Sequence, residues 1–145
     1  MSTPVKVGIV GLGRWAKVLT RASKQSSKVQ IVAGYSRSQE KRDAFAKEMG
    51  VPAVPDIQAM LSNPEIKGVV LTVPNEQHLP MAEIVAKGGK HVYTEKPISQ
   101  TLEDGLKIEA LPGVTCHGLP READLKAVDA LAEVIAQKHK EQGFK

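Results

Sequence analysis

The stretch that decides the fold is residues 5–16, VKVGIVGLGRWA. Its first half, Val5–Val10, is a continuous run rich in β-branched residues, which is typical of a strand buried on both faces of a parallel sheet. The run breaks at Gly11 and Gly13, and a helical pattern follows from Arg14 to about Lys24. A strand, a glycine-rich turn and a helix in this order predict the first unit of an α/β fold.

The same alternation continues to about residue 97. We predict further strands at Val29–Tyr35, near Ala53–Val54, at Val69–Val73 and at His91–Thr94, with helices after residues 36–38 through about Met49, at Ile57–Leu61 and at Glu76–Lys87. Gly50 stands where a C-cap glycine belongs. Parallel neighbours need crossover connections, so five strands alternating with helices predict a Rossmann-type doubly wound sheet, mostly parallel, with helices on both faces.

The pattern loosens after Thr101. Residues 101–104, TLED, are typical of a capped helix start, Pro112 and Gly113 end that helix, and residues 114–116 indicate one short strand. A final helix follows Pro120, with an apolar stripe that we expect to pack on the sheet, formed by Leu125, Val128, Ala132 and Ile135. We therefore predict a dinucleotide-binding domain over residues 1–118 and a C-terminal helix within residues 119–145 that packs back on it.

Composition excludes several classes of function. The chain of 145 residues matches one domain, and its 20 Lys and Arg against 16 Asp and Glu are interspersed, which indicates a mixed solvated surface. Only 3% of the residues are aromatic, so we expect no nucleic-acid partner. The single Cys116 excludes an internal disulfide, and with His117 beside it makes no recognisable metal-ligand set. No signal-type or transmembrane segment is evident, so we expect a cytoplasmic protein with no membrane partner.

The turn Gly11-x-Gly13-x-x-Ala16 indicates dinucleotide binding. Gly11 permits the tight turn, Gly13 lets the backbone approach a pyrophosphate, and Ala16 allows the helix to pack closely on the strand. Backbone N–H groups at the helix start then bind the anion. The cofactor-binding candidates here are Gly11, Leu12, Gly13, Arg14, Trp15 and Ala16. The alternatives are a turn that binds nothing or one that binds S-adenosylmethionine, and Trp15 either lies beside the cofactor or anchors the helix to the core.

The end of the second strand bears on the choice of cofactor. A site that prefers NAD places an acidic residue there to accept a hydrogen bond from the ribose 2′-hydroxyl. This sequence has Ser36 and Arg37 instead, and a guanidinium pairs with a 2′-phosphate. We therefore predict NADP(H), with NAD(H) as the alternative. In the competing interpretation Arg37 is an exposed charge, or stacks on adenine without discriminating between the two cofactors.

Three motifs together resemble the Gfo/Idh/MocA oxidoreductases, the relatives of glucose–fructose oxidoreductase and inositol dehydrogenase. They are Gly11-x-Gly13-x-x-Ala16, Thr72-x-Pro74-Asn75-x-x-His78 and Glu95-Lys96-Pro97, and the resemblance covers about residues 4–110. The family implies a Rossmann domain followed by a larger α+β substrate domain. It also implies hydride transfer between a nicotinamide cofactor and a hydroxyl carbon of a sugar, polyol or related compound.

The resemblance assigns roles to single residues. Lys96 matches the family's catalytic lysine, whose ammonium polarises or relays a proton from an alcohol; on its own it would be a solvated lysine. Glu95 and Pro97 would shape that turn, in which many relatives have a cis peptide bond before the proline. The residues that would line the cofactor are Thr72, Pro74, Asn75, His78, Glu95 and Lys96. For His78 we favour packing or capping over chemistry.

The sequence departs from the family after Pro97. The family's substrate domain supplies an Asp-x-x-x-His pair, whereas no histidine lies four residues after Asp104, Asp124 or Asp129. Residues 122–145 instead resemble the family's extreme C-terminal helix. We therefore predict a nucleotide-binding domain that has lost its substrate domain at a junction within residues 110–121, that does not turn over substrate, and that pairs as a homodimer through the surface left behind.

Other interpretations stay open at this point. One is an authentic small Rossmann protein, and another is a non-catalytic module that senses a dinucleotide or pairs with other subunits. A methyltransferase-like domain is a third, although the Glu95-Lys96-Pro97 turn has no role in it.

Overall fold

A computed structural model describes residues 3–101 and, beyond them, positions 130, 134, 137 and 141. Residues 3–101 form an alternating β/α chain. Its elements are β1 (Val5–Val10), α1 (Arg14–Ser23), β2 (Val29–Tyr35), α2 (Gln39–Met49), α3 (Ile57–Leu61), β3 (Gly68–Leu71), a 3₁₀ turn (Asn75–Gln77), α4 (His78–Lys87) and β4 (His91–Thr94).

The strands form one parallel sheet in the order β2-β1-β3-β4. This arrangement confirms the predicted Rossmann-like class. The strand predicted near Ala53–Val54 is wrong as a full strand: Ala53 makes only an isolated parallel bridge to Gly34 of β2. Pro52 and Pro55 flank this segment, and because proline has no N–H it cannot donate to a ladder.

Most element bounds agree with the sequence prediction. α2 begins at the cap residue Ser38, whose side chain accepts a hydrogen bond from the Lys41 N–H, and ends at Gly50 with φ +64°, as a C-cap glycine should. β3 ends at Leu71 rather than Val73, because the next residue, Thr72, turns its hydroxyl back toward β1.

Two apolar clusters cover the two faces of the sheet. Ile9 of β1 packs with Phe45 of α2 in one cluster, while Val10 of the same strand packs with Met60 and Val85 in the other. Successive side chains of a strand point to opposite faces, so this division places α1 and α2 on one face and α3 and α4 on the other. The helices therefore lie on both faces, as predicted.

Ion pairs join α1 to α2. Lys17 Nζ lies 2.6 Å from Glu48 Oε2, and Arg21 Nη2 lies 2.9 Å from Glu48 Oε1. The hydrogen bond from Lys17 is the largest of the effects that hold the pKa of Glu48 below its ordinary value. These exposed pairs link the two helices, and the turns that precede these helices carry two of the predicted binding motifs.

Beyond residue 101 the four described positions are helical and exposed, and Gln137 Nε2 donates to Glu141 Oε1 at 3.1 Å. Their conformation agrees with the final helix predicted after Pro120. The helix start at residues 101–104, the strand at 114–116, the apolar stripe and the boundary near residue 118 lie outside the described residues, so the domain limits stay a prediction. In the described part of the chain, no helix has both the length and the apolar character needed to cross a membrane.

Candidate functional site

Three motif-bearing segments meet at the carboxyl edge of the sheet, because parallel strands all end at the same edge. The glycine turn follows β1, residues 72–78 follow β3, and Glu95-Lys96-Pro97 follows β4. Hydrogen bonds connect them: Thr72 with Gly11, Trp15 with Glu95, and His78 with Pro97. The structure thus brings the three sequence motifs into one site.

Both the backbone conformation at position 11 and the atoms around it require a glycine. Its φ is +90°, a region that residues with a side chain rarely adopt. A Cβ there would lie 2.6 Å from the carbonyl oxygen of Thr72, so even a methyl group would collide with backbone. Its N–H donates to the Tyr35 carbonyl oxygen at 2.9 Å, which ties the turn to the end of β2.

We expect Gly11→Ala to destabilise the fold by about 1–3 kcal/mol or more, because backbone strain and a backbone collision act together. Gly50→Ala is the matched control, since Gly50 also has positive φ but a Cβ there would meet nothing within 4 Å. Urea unfolding of both variants measures the difference. A cost for Gly11→Ala no larger than that of Gly50→Ala would contradict this account of the turn.

Thr72 orders the glycine turn from the neighbouring strand. Its Oγ1 donates to the Gly11 carbonyl oxygen at 2.6 Å, and the Val10 carbonyl oxygen lies 3.1 Å away. The Thr72 N–H also donates to Val10, at 2.8 Å. Thr72 was predicted to line the cofactor. Its hydroxyl hydrogen is already donated to the carbonyl oxygen of Gly11 in the turn.

Gly13 faces the open side of this edge. It precedes α1 with extended dihedrals, φ −85° and ψ −165°, and no side chain caps the helix. A Cβ on Gly13 would meet nothing within 4 Å, so no contact among the described residues requires glycine here. The first N–H groups of a helix have no intrahelical partner, and α1 has no acidic residue in its first turn. This helix start is therefore suited to an anion.

The other residues of the turn divide between core and surface. Leu12 and Ala16 are buried in the cluster with Phe45, so their side chains serve packing and only their backbone reaches the site. The small size predicted to allow close packing at Ala16 is confirmed by its complete burial. Trp15 is 49% exposed, so it does not anchor the helix to the core.

The β2–α2 turn presents positive charge. Arg37 is exposed, and its guanidinium has no hydrogen-bond or ion-pair partner within residues 3–101. Sequence reasoning missed Arg42, which donates to the carbonyl oxygens of Ser36 at 2.5 Å and Arg37 at 3.2 Å. Arg42 lies one turn into α2, four residues after the cap Ser38, and this position brings its guanidinium back to the turn. Arg42 therefore fixes the turn and adds a second cation to it.

A groove of about 350 Å³ runs between the glycine turn and α2. Its floor is apolar, and its charged lining consists of Arg14, Lys17 and Lys41. The Lys17 ammonium is paired with Glu48, whereas the Lys41 ammonium has no hydrogen-bond or ion-pair partner in the described part of the chain. Lys41 was also missed from the sequence, and it makes the groove attractive to phosphate.

The Glu95-Lys96-Pro97 turn presents one free ammonium. Lys96 is exposed, with no hydrogen-bond or ion-pair partner among residues 3–101, and the Lys96–Pro97 peptide bond is cis. Glu95 Oε1 accepts a hydrogen bond from Trp15 Nε1 at 3.3 Å. The lysine thus stands at the edge of the sheet, where a ligand on the glycine turn would end.

His78 is a buried connector. It is 2% exposed, with Nδ1 2.8 Å from the Pro97 carbonyl oxygen and Nε2 2.9 Å from that of Val73. Both ring nitrogens are engaged, which agrees with the packing role favoured from sequence. Pro74 and Asn75 are exposed at the start of the 3₁₀ turn. Among the described residues no group of three or more His, Cys, Asp or Glu side chains is placed to hold a metal ion, and Cys116 and His117 lie outside them.

Comparison with known proteins places this geometry in a family. Residues 5–111 match the Gfo/Idh/MocA family, described as an oxidoreductase family with an NAD-binding Rossmann fold. The matched range contains all three motifs at the sheet edge and most of the described residues.

Individual relatives agree in fold and differ in cofactor. A 1-carboxy-3-chloro-3,4-dihydroxycyclohexa-1,5-diene dehydrogenase of Comamonas testosteroni is 32% identical over 107 residues, which cover 73% of this chain and 27% of that enzyme. A putative NADPH-dependent oxidoreductase of Desulfitobacterium hafniense is 39% identical with a TM-score of 0.70, covering 74% and 31% of the two chains. Scyllo-inositol dehydrogenase of Lactobacillus casei, with bound NAD(H) and scyllo-inositol, is 33% identical with a TM-score of 0.62, covering 70% and 30%. The chain spans less than a third of each relative.

Proposed function

The chain belongs to the Gfo/Idh/MocA oxidoreductase family and contains its NAD-binding Rossmann domain, and from this premise we propose that its site binds NADP(H) in preference to NAD(H). The observation that carries the proposal is the exposed Arg37 at the end of β2, whose guanidinium has no partner among residues 3–101. A 2′-phosphate is the group that distinguishes the two cofactors, and this position is where the 2′ substituent of the ribose lies in Rossmann domains.

The surroundings of Arg37 support a phosphate rather than a hydroxyl ligand. Residues 36–38 are Ser-Arg-Ser, with no carboxylate to accept a bond from a 2′-hydroxyl or to repel a phosphate. Arg42 adds positive charge beneath the turn, and Lys41 lines the adjoining groove. Guanidinium groups pair with phosphate through two parallel hydrogen bonds, which makes such a site selective as well as attractive.

The remaining residues fit the other parts of a dinucleotide. The N–H groups at the start of α1, beside the open space at Gly13, would bind the pyrophosphate. Residues 72–75 and the Glu95–Pro97 turn lie where the nicotinamide half would end. When bound, the nicotinamide supplies or accepts a hydride. We propose that Lys96 contacts the reacting hydroxyl and helps to move its proton.

We expect NADPH to bind at least about tenfold more tightly than NADH, since a charge-assisted pair contributes roughly 1.5–3 kcal/mol. Arg37→Ala should remove most of this difference by weakening NADPH alone. Calorimetric titration of both cofactors measures the ratio. Lys28→Ala is the control for net charge, because Lys28 precedes β2 at the opposite edge of the sheet. Equal affinities in the unmodified chain, or a ratio that Arg37→Ala leaves unchanged, would refute the NADP(H) preference.

A further inference from the structure

The turn that carries Lys96 is fixed on both sides of the lysine. On one side Glu95 Oε1 accepts the indole N–H of Trp15 at 3.3 Å. On the other, the carbonyl oxygen of Pro97 lies 2.8 Å from Nδ1 of His78. Lys96 itself is exposed and has no partner within residues 3–101. The two flanking contacts therefore restrain the backbone that carries the Lys96 side chain.

His78 joins two loops of the site through one buried ring. Nε2 lies 2.9 Å from the carbonyl oxygen of Val73, in the loop after β3, while Nδ1 contacts the carbonyl oxygen of Pro97, in the turn after β4. Both partners are carbonyl oxygens, which only accept, and a neutral imidazole has a single N–H. The ring therefore donates to one of the two carbonyls according to its tautomer and lies in close contact with the other. The ring is 2% exposed, so bulk water has little access to these two contacts.

Trp15 connects the same turn to the anion-binding end of α1. It lies two residues after Gly13, in the first turn of the helix, and is 49% exposed. An anion held by the N–H groups of that turn restricts the backbone that carries the indole. Because the indole N–H donates to Glu95, the restriction reaches the residue next to Lys96.

We propose that Trp15 and His78 are positioning residues that together form a two-sided clamp on the Glu95-Lys96-Pro97 turn. His78 fixes the turn to the loop after β3, and Trp15 couples it to the occupancy of the glycine turn. The coupling rests on the proposed dinucleotide site, whereas the clamp itself exists without a ligand.

The environment of Lys96 provides the readout. Reductive ¹³C-methylation labels the lysines while keeping their charge, and the Lys96 signal is identified by its loss in Lys96→Arg. Without ligand, Trp15→Phe and His78→Phe should both move that signal, since each removes one side of the clamp. Glu95→Leu should move the signal further than Glu95→Gln, because both remove the carboxylate charge beside Lys96 and only glutamine keeps an oxygen for the indole. His91→Phe, at the other end of β4, is the control for loss of a histidine.

Addition of NADP⁺ tests the coupling. In the unmodified chain the Lys96 signal should shift on binding. In Trp15→Phe at saturating NADP⁺ the shift should be smaller, because the part transmitted through the indole is lost and only the direct effect of the nicotinamide remains. If His78→Phe does not fold, His78→Gln, which retains one donor, takes its place. Trp15 is half-exposed, so Trp15→Phe supplies the second measurement of the Lys96 signal. An unmoved ligand-free signal in the foldable Trp15 and His78 variants overturns the clamp. If calorimetry detects no heat with NADP⁺, both the proposed function and the coupling are refuted. The Lys96 signals recorded without ligand then decide whether the clamp exists.

Discussion

Gly13→Val is expected to abolish dinucleotide binding and to leave the fold intact. Valine adopts the extended dihedrals of Gly13 readily, and its Cβ would enter open space rather than another part of the chain. That same space is where a pyrophosphate must approach the backbone. A branched side chain there excludes the phosphates, so affinity for NADPH and NADH should fall by about 100-fold or more, close to 3 kcal/mol.

Calorimetric titration measures the loss of dinucleotide binding, and a thermal melt of the same preparation measures whether the fold is intact. Lys96→Ala is the matched control, because Lys96 lies in the turn after β4 rather than at the start of α1, and its loss should leave binding nearly unchanged. Wild-type affinity in Gly13→Val would mean that the cofactor binds elsewhere. A large fall in melting temperature would mean that Gly13 is needed for folding, as Gly11 is.

The two glycines of this motif show what could be predicted from the sequence and what could not. Spacing alone assigned the tight turn to Gly11 and the close ligand approach to Gly13, and each assignment suits the local geometry. The sequence contained no sign that the obstacle at Gly11 is the Thr72 carbonyl, since that collision joins the ends of two strands. Periodicity predicts which elements form, whereas contacts between them depend on how they pack.

Strand limits were predictable where apolar runs have clear ends. β2 and β4 have the predicted bounds, because turn-forming residues follow each run. The segment at Ala53 has the composition of a short strand, and the prolines beside it reduce the pairing to one bridge. The charged residues of α2 illustrate a different limit: 25% of the chain is charged, so nothing marks Lys41 and Arg42 as members of a site until the fold places them beside the turns.

The 145-residue chain is expected to bind its cofactor without turning over any sugar or polyol. The resemblance implies that relatives draw a histidine from the substrate domain to move the alcohol proton, a contribution of typically 10²–10⁴-fold. In this chain His78 is buried with both ring nitrogens engaged, and His91 begins β4 at the opposite edge of the sheet from Lys96. Of the histidines among residues 3–101, neither lies at the carboxyl edge with a free ring nitrogen, whereas Lys96 follows β4 at that edge.

Absorbance at the nicotinamide band, recorded with NADP⁺ and a panel of sugars and polyols, measures this prediction. We expect no NADPH above the rate without substrate, because a bound hydride acceptor gains nothing unless a second partner is held in line with it and water is excluded. Lys96→Ala distinguishes a true signal from contamination. Steady NADPH formation that this substitution abolishes would mean that the chain builds a substrate pocket from its own residues, with Lys96 moving the proton unaided by a histidine of the family pattern.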